Sequence, residues 1–277
     1  MNLNSVNTNL AAMTALQSLN RTNDALGVVQ KRVSTGFRVA DAKDDGGAFA
    51  VAQSVRGDAA GLTAANEQLG GLKGVIDVTL HGLGQVSKTM VDLRTVLTRL
   101  ADGTINDQQR DQYEQQYDQL RTQVERFIED ATYNGRNLLT TATTVGGGDI
   151  VAIRNEAGTT LTIGAFDGAT ALVVSAAPTD AAGAQTAISG DWTNINEAIN
   201  DALNRLGSDA RYIDAQVNYN RDKLDAVEGG LGALIDADIA KEAARLQALQ
   251  IRQQLGTQTL SITNQAPQAL LSLFGGR

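Results

Sequence analysis

Hydrophobic positions recur at helical spacing along almost the whole chain, with one interruption near the middle. At the start the stripe is Leu3, Val6, Leu10, Met13, Leu16, Leu19, Leu26, Val29 and Val33. At the finish it is Ile239, Leu246, Leu249, Leu255, Leu260, Leu270 and Leu273. Intervals near three and four, and their multiples, put each set on one helical face. The pattern predicts amphipathic helices over residues 3–33 and 239–274. Neither stripe has an obvious burial site inside a small globule, so the ends read as surfaces for joining something.

Between them the pattern predicts more helices. Ser34-Thr35-Gly36 offers a stop, with Gly36 suited to a left-handed cap. The polar joint 41–47 caps a second helix through Asp44 or Asp45, and that helix is expected to end near Gln68, where Gly70-Gly71 and Gly74 follow. Ile76, Leu80, Leu83, Val86, Met90, Leu93, Leu97 and Leu100 form a heptad-like third stripe. Tyr113, Tyr117, Leu120, Val124, Phe127 and Ala131 form a fourth, closed by Tyr133-Asn134-Gly135. Residues 140–190 lack Lys and shorten to strand-like runs at 149–154, 159–165 and 171–176, with turn chemistry at Gly146-Gly147-Gly148 and Asp167-Gly168. From Trp192 the helical period returns for about forty residues, roughly 60 Å of helix, through Gly229-Gly230 to the joint Asp236-Ala237-Asp238. A helix that long needs equally long partners, so an antiparallel bundle is expected.

The fold class that follows is mainly α: a long antiparallel helical hairpin or bundle with coiled-coil terminal helices and a small β-rich insert at its far tip. The expected division gives residues 1–40 and 235–277 to the two halves of a terminal-helix domain. Residues 41–139 and 191–234 form the two halves of a bundle domain, and 140–190 the variable insert. Composition agrees, since two Pro in 277 residues and 4% aromatics suit long helices with thin seams.

A net charge of −8 disfavours nucleic acid, which needs clustered Lys and Arg. No run of 18 apolar residues predicts a membrane span, and the start of the chain does not read as a secretory signal. The expectation is a cytosolic protein or one exported by a route that reads no such signal. Without Cys there is no thiol chemistry.

Catalytic candidates are weak. His81 is the single His, and a metal site needs several ligands at set spacing. The pairs Asp44-Asp45 and Asp236/Asp238 stand just ahead of helices, where carboxylates cap free N–H groups. The glycine clusters match no phosphate loop and read as hinges or turns. The expectation is a protein that is not an enzyme, with no catalytic, metal or cofactor residues.

Several motifs together resemble bacterial flagellin. Residues Gln30 to Val39, with Arg32, Gly36 and Arg38, are similar to the family's "RLSSGxRI" segment, and Ala42-Lys43-Asp44-Asp45 to its "AKDDAAG". Tyr133-Asn134-Gly135 through Leu139 resembles "FNGxxLL". Ile235 to Glu242, containing Asp236 and Asp238, resembles the "IEDADxAxE" joint. Gln253 to Gly256, Ala266-Pro267-Gln268 and Leu270-Leu271-Ser272-Leu273 resemble the terminus.

The resemblance implies a structural subunit of the bacterial flagellar filament that polymerises head to tail for motility. Its terminal helices would be largely disordered in the free monomer and order on assembly. The subunit-interface candidates are Leu3, Val6, Leu10, Met13, Leu246, Leu249, Leu260, Leu270, Leu271 and Leu273. The joint residues are Arg32, Arg38, Asp44, Asp45, Asn134, Gly135, Asp236 and Asp238. Implied partners are other copies of the chain, an export chaperone, the type III export apparatus, a distal cap and hook-associated proteins, with no nucleic acid and no membrane insertion. The implied location is extracellular, in the filament. A patch that innate immune receptors read in enterobacterial members falls on residues 90–96, keeping Arg94; Asp92 stands where the pattern has Arg, and that reversal argues against recognition. The readings set against this are a hook–filament junction protein and, from another class, a cytosolic coiled-coil scaffold or chaperone.

Overall fold

A computed structural model describes the backbone of residues 9–274 and the side chains of residues 9–265. Its helices are α1 (Leu10–Thr35), α2 (Gly46–Leu100), α3 (Asp107–Asp130), α4 (Gly168–Ala171), α5 (Ala181–Ala187), α6 (Thr193–Ile235) and α7 (Ile239–Phe274). Strands β1 (Ile150–Ile153) and β2 (Thr160–Ile163) form one antiparallel pair, with Ile150 opposite Ile163 and Ile153 opposite Thr160. The chain is mainly α, 75% helical, as its periodicity predicts. It divides into two compact units: Met1–Gly57 with Val227–Arg277, and Asp58–Ala226.

The second unit holds the main core. Of the heptad-like stripe on α2, Ile76, Leu83, Val86, Met90, Leu93, Leu97 and Leu100 are buried and Leu80 is partly so. They pack with Tyr117 and Val124 of α3 and with Ile195, Ile199, Ala202, Leu206 and Ile213 of α6. Asn106 starts α3 with a reciprocal cap, accepting from Gln109 N at 2.8 Å while Gln109 Oε1 accepts from Asn106 N at 3.2 Å.

Four local expectations differ from the structure. First, α2 runs unbroken through Gly70, Gly71 and Gly74. Isolated glycines cost only about 1 kcal/mol each in a helix, and buried Leu69, Leu72, Val75 and Ile76 hold this stretch against the core. Gly74 has a packing reason, because a Cβ there would lie 2.9 Å from the Tyr133 ring. Second, the cluster Gly229, Gly230 and Gly232 is not a turn: it lies inside α6, as the helical period running through it predicts.

Third, residues 171–176 are not a strand. Ala171 N donates to Asp167 O at 2.8 Å and Leu172 N to Gly168 O at 3.0 Å, helical bonds of α4, and the residues just before are tied to 138–139 by Phe166 N donating to Leu138 O at 2.7 Å and Gly168 N to Leu139 O at 3.0 Å. Leu172 and Val174 are still buried, so the alternation marked the buried face but not the partner. The following helix begins before Trp192: Asp180 caps α5, accepting from Gly183 N at 2.6 Å, and a five-residue π turn at Ile188–Trp192 leads into α6.

Fourth, the small sheet lies along the flank of the bundle instead of its tip. Ile153 N donates to Gln68 Oε1 at 3.1 Å, and Arg154 O accepts from Asn220 Nδ2 at 2.9 Å. Arg154 Nη1 donates to the Tyr212 hydroxyl at 2.9 Å, and Glu156 pairs with Lys223. Polar seats on α2 and α6 hold the turn beside the helices. Gly61 lets it approach, since a Cβ there would be 3.2 Å from Glu156 Cα.

Candidate subunit interface on the terminal helices

In the first unit, α1 and α7 pair antiparallel. Asn9 caps α1 by accepting from Ala12 N at 3.0 Å, and its Nδ2 donates to Thr263 O at 2.8 Å. Further along, Gln253 Nε2 donates to Asn23 Oδ1 at 2.8 Å, and Arg32 Nη1 meets Glu242 Oε1 at 3.2 Å. The seam between these rungs is thin: Leu26, Val29 and Leu249 are buried, with Ala25, Val33 and Leu246 half-covered beside them. Gly256 sits opposite Leu19, whose Cδ1 would be 3.1 Å from an added Cβ.

The outer faces of both helices remain apolar. Leu10, Met13, Leu16 and Val28 of α1 are exposed, as are Ile251, Leu255 and Ile262 of α7, and Met13 and Ile262 keep 63% and 68% of their surface. Leu10, Met13, Thr14, Leu16, Gln17 and Asn20 line a shallow groove on α1. Among the interface candidates, Leu249 is in the seam, Leu246 and Leu260 are partly covered, and Leu10 and Met13 face outward. Leu3 and Val6 lie outside the described residues, as do the side chains of Leu270, Leu271 and Leu273. Reading each end as one stripe missed that there are two faces. Ile251, Leu255 and Ile262, four and seven residues apart, were the signal for the second.

The joint motifs bring the two halves of the chain together. Gly36 closes α1 in a left-handed conformation (φ 77°), its N–H donating to Arg32 O. Gly36 O accepts from Ala237 N at 2.9 Å, Arg38 N donates to Ile235 O at 2.7 Å, and the Arg38 guanidinium donates to Leu234 O at 2.6 Å. Val39, Ala52 and Ile235 form a small core below, flanked by Phe37, Phe49 and Leu231.

The four joint aspartates have separate structural duties. Asp44 accepts from Lys31 at 2.7 Å and from Ala40 N at 3.0 Å. Those bonds hold its carboxyl below the usual range, while Lys31, bonded to Asp41 and Asp44, is raised. Asp45 caps α2 by accepting from Ala48 N at 3.0 Å, and Asp238 caps α7 by accepting from Lys241 N at 3.0 Å. Asp236 faces Phe37 in an isolated backbone bridge.

Other motif residues belong to the second unit. Asn134 (φ 49°) and Gly135 (φ 74°) form a tight turn between Tyr133 and Arg136, whose backbones exchange two bonds of 2.9 Å. Arg94 stacks over Trp192 at 4.4 Å from the ring centroid, and Trp192 Nε1 donates to Met90 O at 2.7 Å. Met90, Leu93 and Val96 face the core; Asp92, Arg94 and Thr95 face solvent. His81 is exposed. Among the described residues no group of three His, Cys, Asp or Glu side chains is placed to hold a metal, and no helix is long and apolar enough to cross a membrane.

These features define a class: a long-helix protein whose two ends pair with each other and leave a second apolar face uncovered. Models of the bacterial flagellin N-terminal and C-terminal helical regions match residues 6–144 and 192–274. The chain belongs to the bacterial flagellin family. It is 35% identical to flagellin FljK of Caulobacter vibrioides, covering 99% of this chain and 100% of that one. It is 33% identical to a flagellin of Brucella melitensis, covering 98% and 99%. The crystal structure of Bacillus cereus flagellin shares the fold at a TM-score of 0.52 and 24% identity, over 56% of this chain and 88% of that one. A putative flagellar hook-associated protein from Vibrio parahaemolyticus shares it at a TM-score of 0.57 and 12% identity, over 70% and 100%.

Proposed function

We propose that this protein is a structural subunit of the bacterial flagellar filament, joined to other copies through the outer faces of α1 and α7. The observation that carries the reading is the second apolar face: a seam of three buried side chains is left beside eight exposed large hydrophobics on the same helix pair, Ile239 among them. Apolar surface of that extent, gathered on one element, marks an interaction site. A contact between unlike faces of identical copies does not close on itself and gives an open helical polymer. Because the seam is thin, α1 and α7 gain most of their order from neighbouring copies.

The same reading carries export through the flagellar type III apparatus with a chaperone on the C-terminal helix, growth at a distal cap, attachment to hook-associated proteins, and an extracellular location. Whole-length identity of 33–35% to flagellins supports the filament subunit over the hook–filament junction reading, whose structural likeness at 12% identity concerns the fold. Family membership supports a structural role and no enzymatic one.

Limited proteolysis of the purified monomer, repeated after seeding with short filament fragments, tests this. Both ends are expected to be trimmed to about residues 45 and 235 in the monomer and protected in the polymer. Resistant ends in a monomer that never elongates would point to a self-contained helical scaffold.

A further inference from the structure

Leu10, Met13 and Leu16 stand three residues apart on α1 and are 61%, 63% and 47% exposed, so they share its outer face. Met13 is the middle of that run and lines the shallow groove together with both leucines. Among the described residues it is the one sulfur-bearing side chain on the outer faces of the helix pair. The chain has no Cys, Met1 lies outside the described residues, and Met90 is 2% exposed in the core of the second unit. Leu and Met are alike in apolar bulk, but only a thioether can be oxidised, so Met13 brings to this face a chemistry its neighbours lack.

We propose that Met13 is an oxidative modification site, at which hydrogen peroxide governs whether a free copy can join the polymer. A lone pair on Met13 Sδ attacks one oxygen of the peroxide. The S–O bond forms as the O–O bond breaks, and the sulfur is oxidised by two electrons as the peroxide is reduced. The departing hydroxide takes the proton from the transferred oxygen and leaves as water. The product is methionine sulfoxide, polar where the thioether was apolar, and it can be reduced back enzymatically. Susceptibility follows exposure, so Met13 reacts and buried Met90 is spared.

The consequence for assembly rests on the filament reading. Burying the sulfoxide oxygen among the apolar side chains of a neighbouring copy leaves a strong acceptor without a donor, which opposes the contact. The α1–α7 seam is made by Leu26, Val29 and Leu249, not by Met13, so the monomer keeps its fold. A copy already in the polymer has its Met13 covered and is protected. The modification therefore acts on the free subunit and not on the finished filament.

Full-length monomer is treated with hydrogen peroxide, freed of it with catalase and mapped by peptide mass. Met13 is expected to gain one oxygen at least about tenfold faster than Met90. Added to untreated filament fragments, the oxidised protein is expected to need at least about fivefold more monomer for elongation, the size of one lost apolar burial. Methionine sulfoxide reductase is expected to restore the parent value. Met13→Leu keeps the bulk without the sulfur and is expected to elongate like the parent before and after peroxide. Oxidised parent that elongates like untreated protein, or peroxide that impairs Met13→Leu as strongly, overturns the proposal. Untreated parent that never elongates overturns the filament reading instead; the site itself is then judged by the mapped rates, and equal rates at Met13 and Met90 overturn it.

Discussion

Arg32 and Glu242 meet at 3.2 Å across the α1–α7 seam, with 27% and 10% of their side chains exposed. They are 210 residues apart in sequence, so this pair, with Asn9–Thr263 and Asn23–Gln253, sets the register of α1 against α7. Arg32 Nε and Glu242 Oε2 are buried without partners, which makes the single shared contact more consequential. Glu242→Gln is expected to cost about 1–3 kcal/mol by leaving a largely covered guanidinium without its carboxylate. Urea unfolding of the full chain followed by circular dichroism measures this. The exchanged double variant Arg32→Glu, Glu242→Arg is expected to recover most of the loss, and a coupling energy near zero would remove the pair from the account.

Gly82 and Gly74 differ in what surrounds them. A Cβ at Gly82 would lie 2.8 Å from Ala131 Cβ, a short side chain with no torsion to turn, and 3.5 Å from Phe127 O. Overpacking of about 1–3 kcal/mol exceeds the roughly 1 kcal/mol gained in helix propensity, so Gly82→Ala is expected to destabilise. At Gly74 the obstacle is the Tyr133 ring, 43% exposed and free to swing outward. Gly74→Ala is therefore expected to be neutral or slightly stabilising. Thermal unfolding of the two variants side by side decides the ordering.

The sequence showed the bundle because each of its stripes meets one partner set. Ile76 to Leu100 on α2, and Ile195 to Ile213 on α6, keep one face buried over their whole length. Glycine misled where it was read by propensity alone, since Gly70-Gly71 sits beside core leucines that outweigh its local cost. The run at 171–176 misled because alternation reports a buried face and says nothing about a strand to pair with. At α7 the spacing of Leu246 and Leu249 implied one face and that of Ile251, Leu255 and Ile262 a second, but only the structure shows which of the two α1 covers. The joint motifs were legible as caps, but the contact of Arg32 with Glu242 was not, because it depends on register.

The turn after β1 is held by an ion pair whose pH dependence has a definite sign. Its hydrogen bond to Lys223 holds the Glu156 carboxyl below the usual range, and Lys223 is raised in return. A depressed carboxyl stabilises the fold fully above its unfolded pKa of about 4.3, and that contribution is lost as pH falls through the folded value. The raised Lys223 contributes below its unfolded value of about 10.4 and loses that as pH rises through the folded one. Glu156→Gln is expected to flatten the acid limb of urea midpoints measured from about pH 6 down to about pH 3. Since 36% of the Lys223 side chain is exposed, added salt is expected to weaken the same contribution. An acid limb unchanged by Glu156→Gln would assign it to other carboxylates.

Trp192, the single tryptophan, reports on the π turn leading into α6. Its Nε1–H bond to Met90 O and the Arg94 guanidinium over its ring join α2 to this turn. Arg94→Gln is expected to cost about 0.5–1 kcal/mol at this exposed position and to shift the tryptophan emission. Trp192→Phe keeps an aromatic face but loses the donor, with a loss of about 1 kcal/mol read by circular dichroism. Emission untouched by Arg94→Gln would show that the stacking is absent in solution.

The outer face of α7 offers the sharpest test of assembly. Leu255 and Ile262 are 56% and 68% exposed, so replacing them by Ser removes little that holds the monomer together, and its unfolding midpoint is expected to move by no more than about 0.5 kcal/mol. In the polymer each would bury the surface it now exposes, on the order of 1 kcal/mol per side chain from about 25 cal/mol per Å². Both together approach 2 kcal/mol at every junction, more than the roughly 1.4 kcal/mol that corresponds to a tenfold change in affinity. Leu255→Ser with Ile262→Ser is therefore expected to raise the monomer concentration needed for seeded elongation by at least about tenfold. Val145→Ser, at a residue 65% exposed in the insert, serves as the matched surface control and is expected to elongate like the parent. Equal elongation by the α7 double variant would remove this face from the interface and leave α1, with Leu10, Met13 and Leu16, as the remaining apolar surface of the pair.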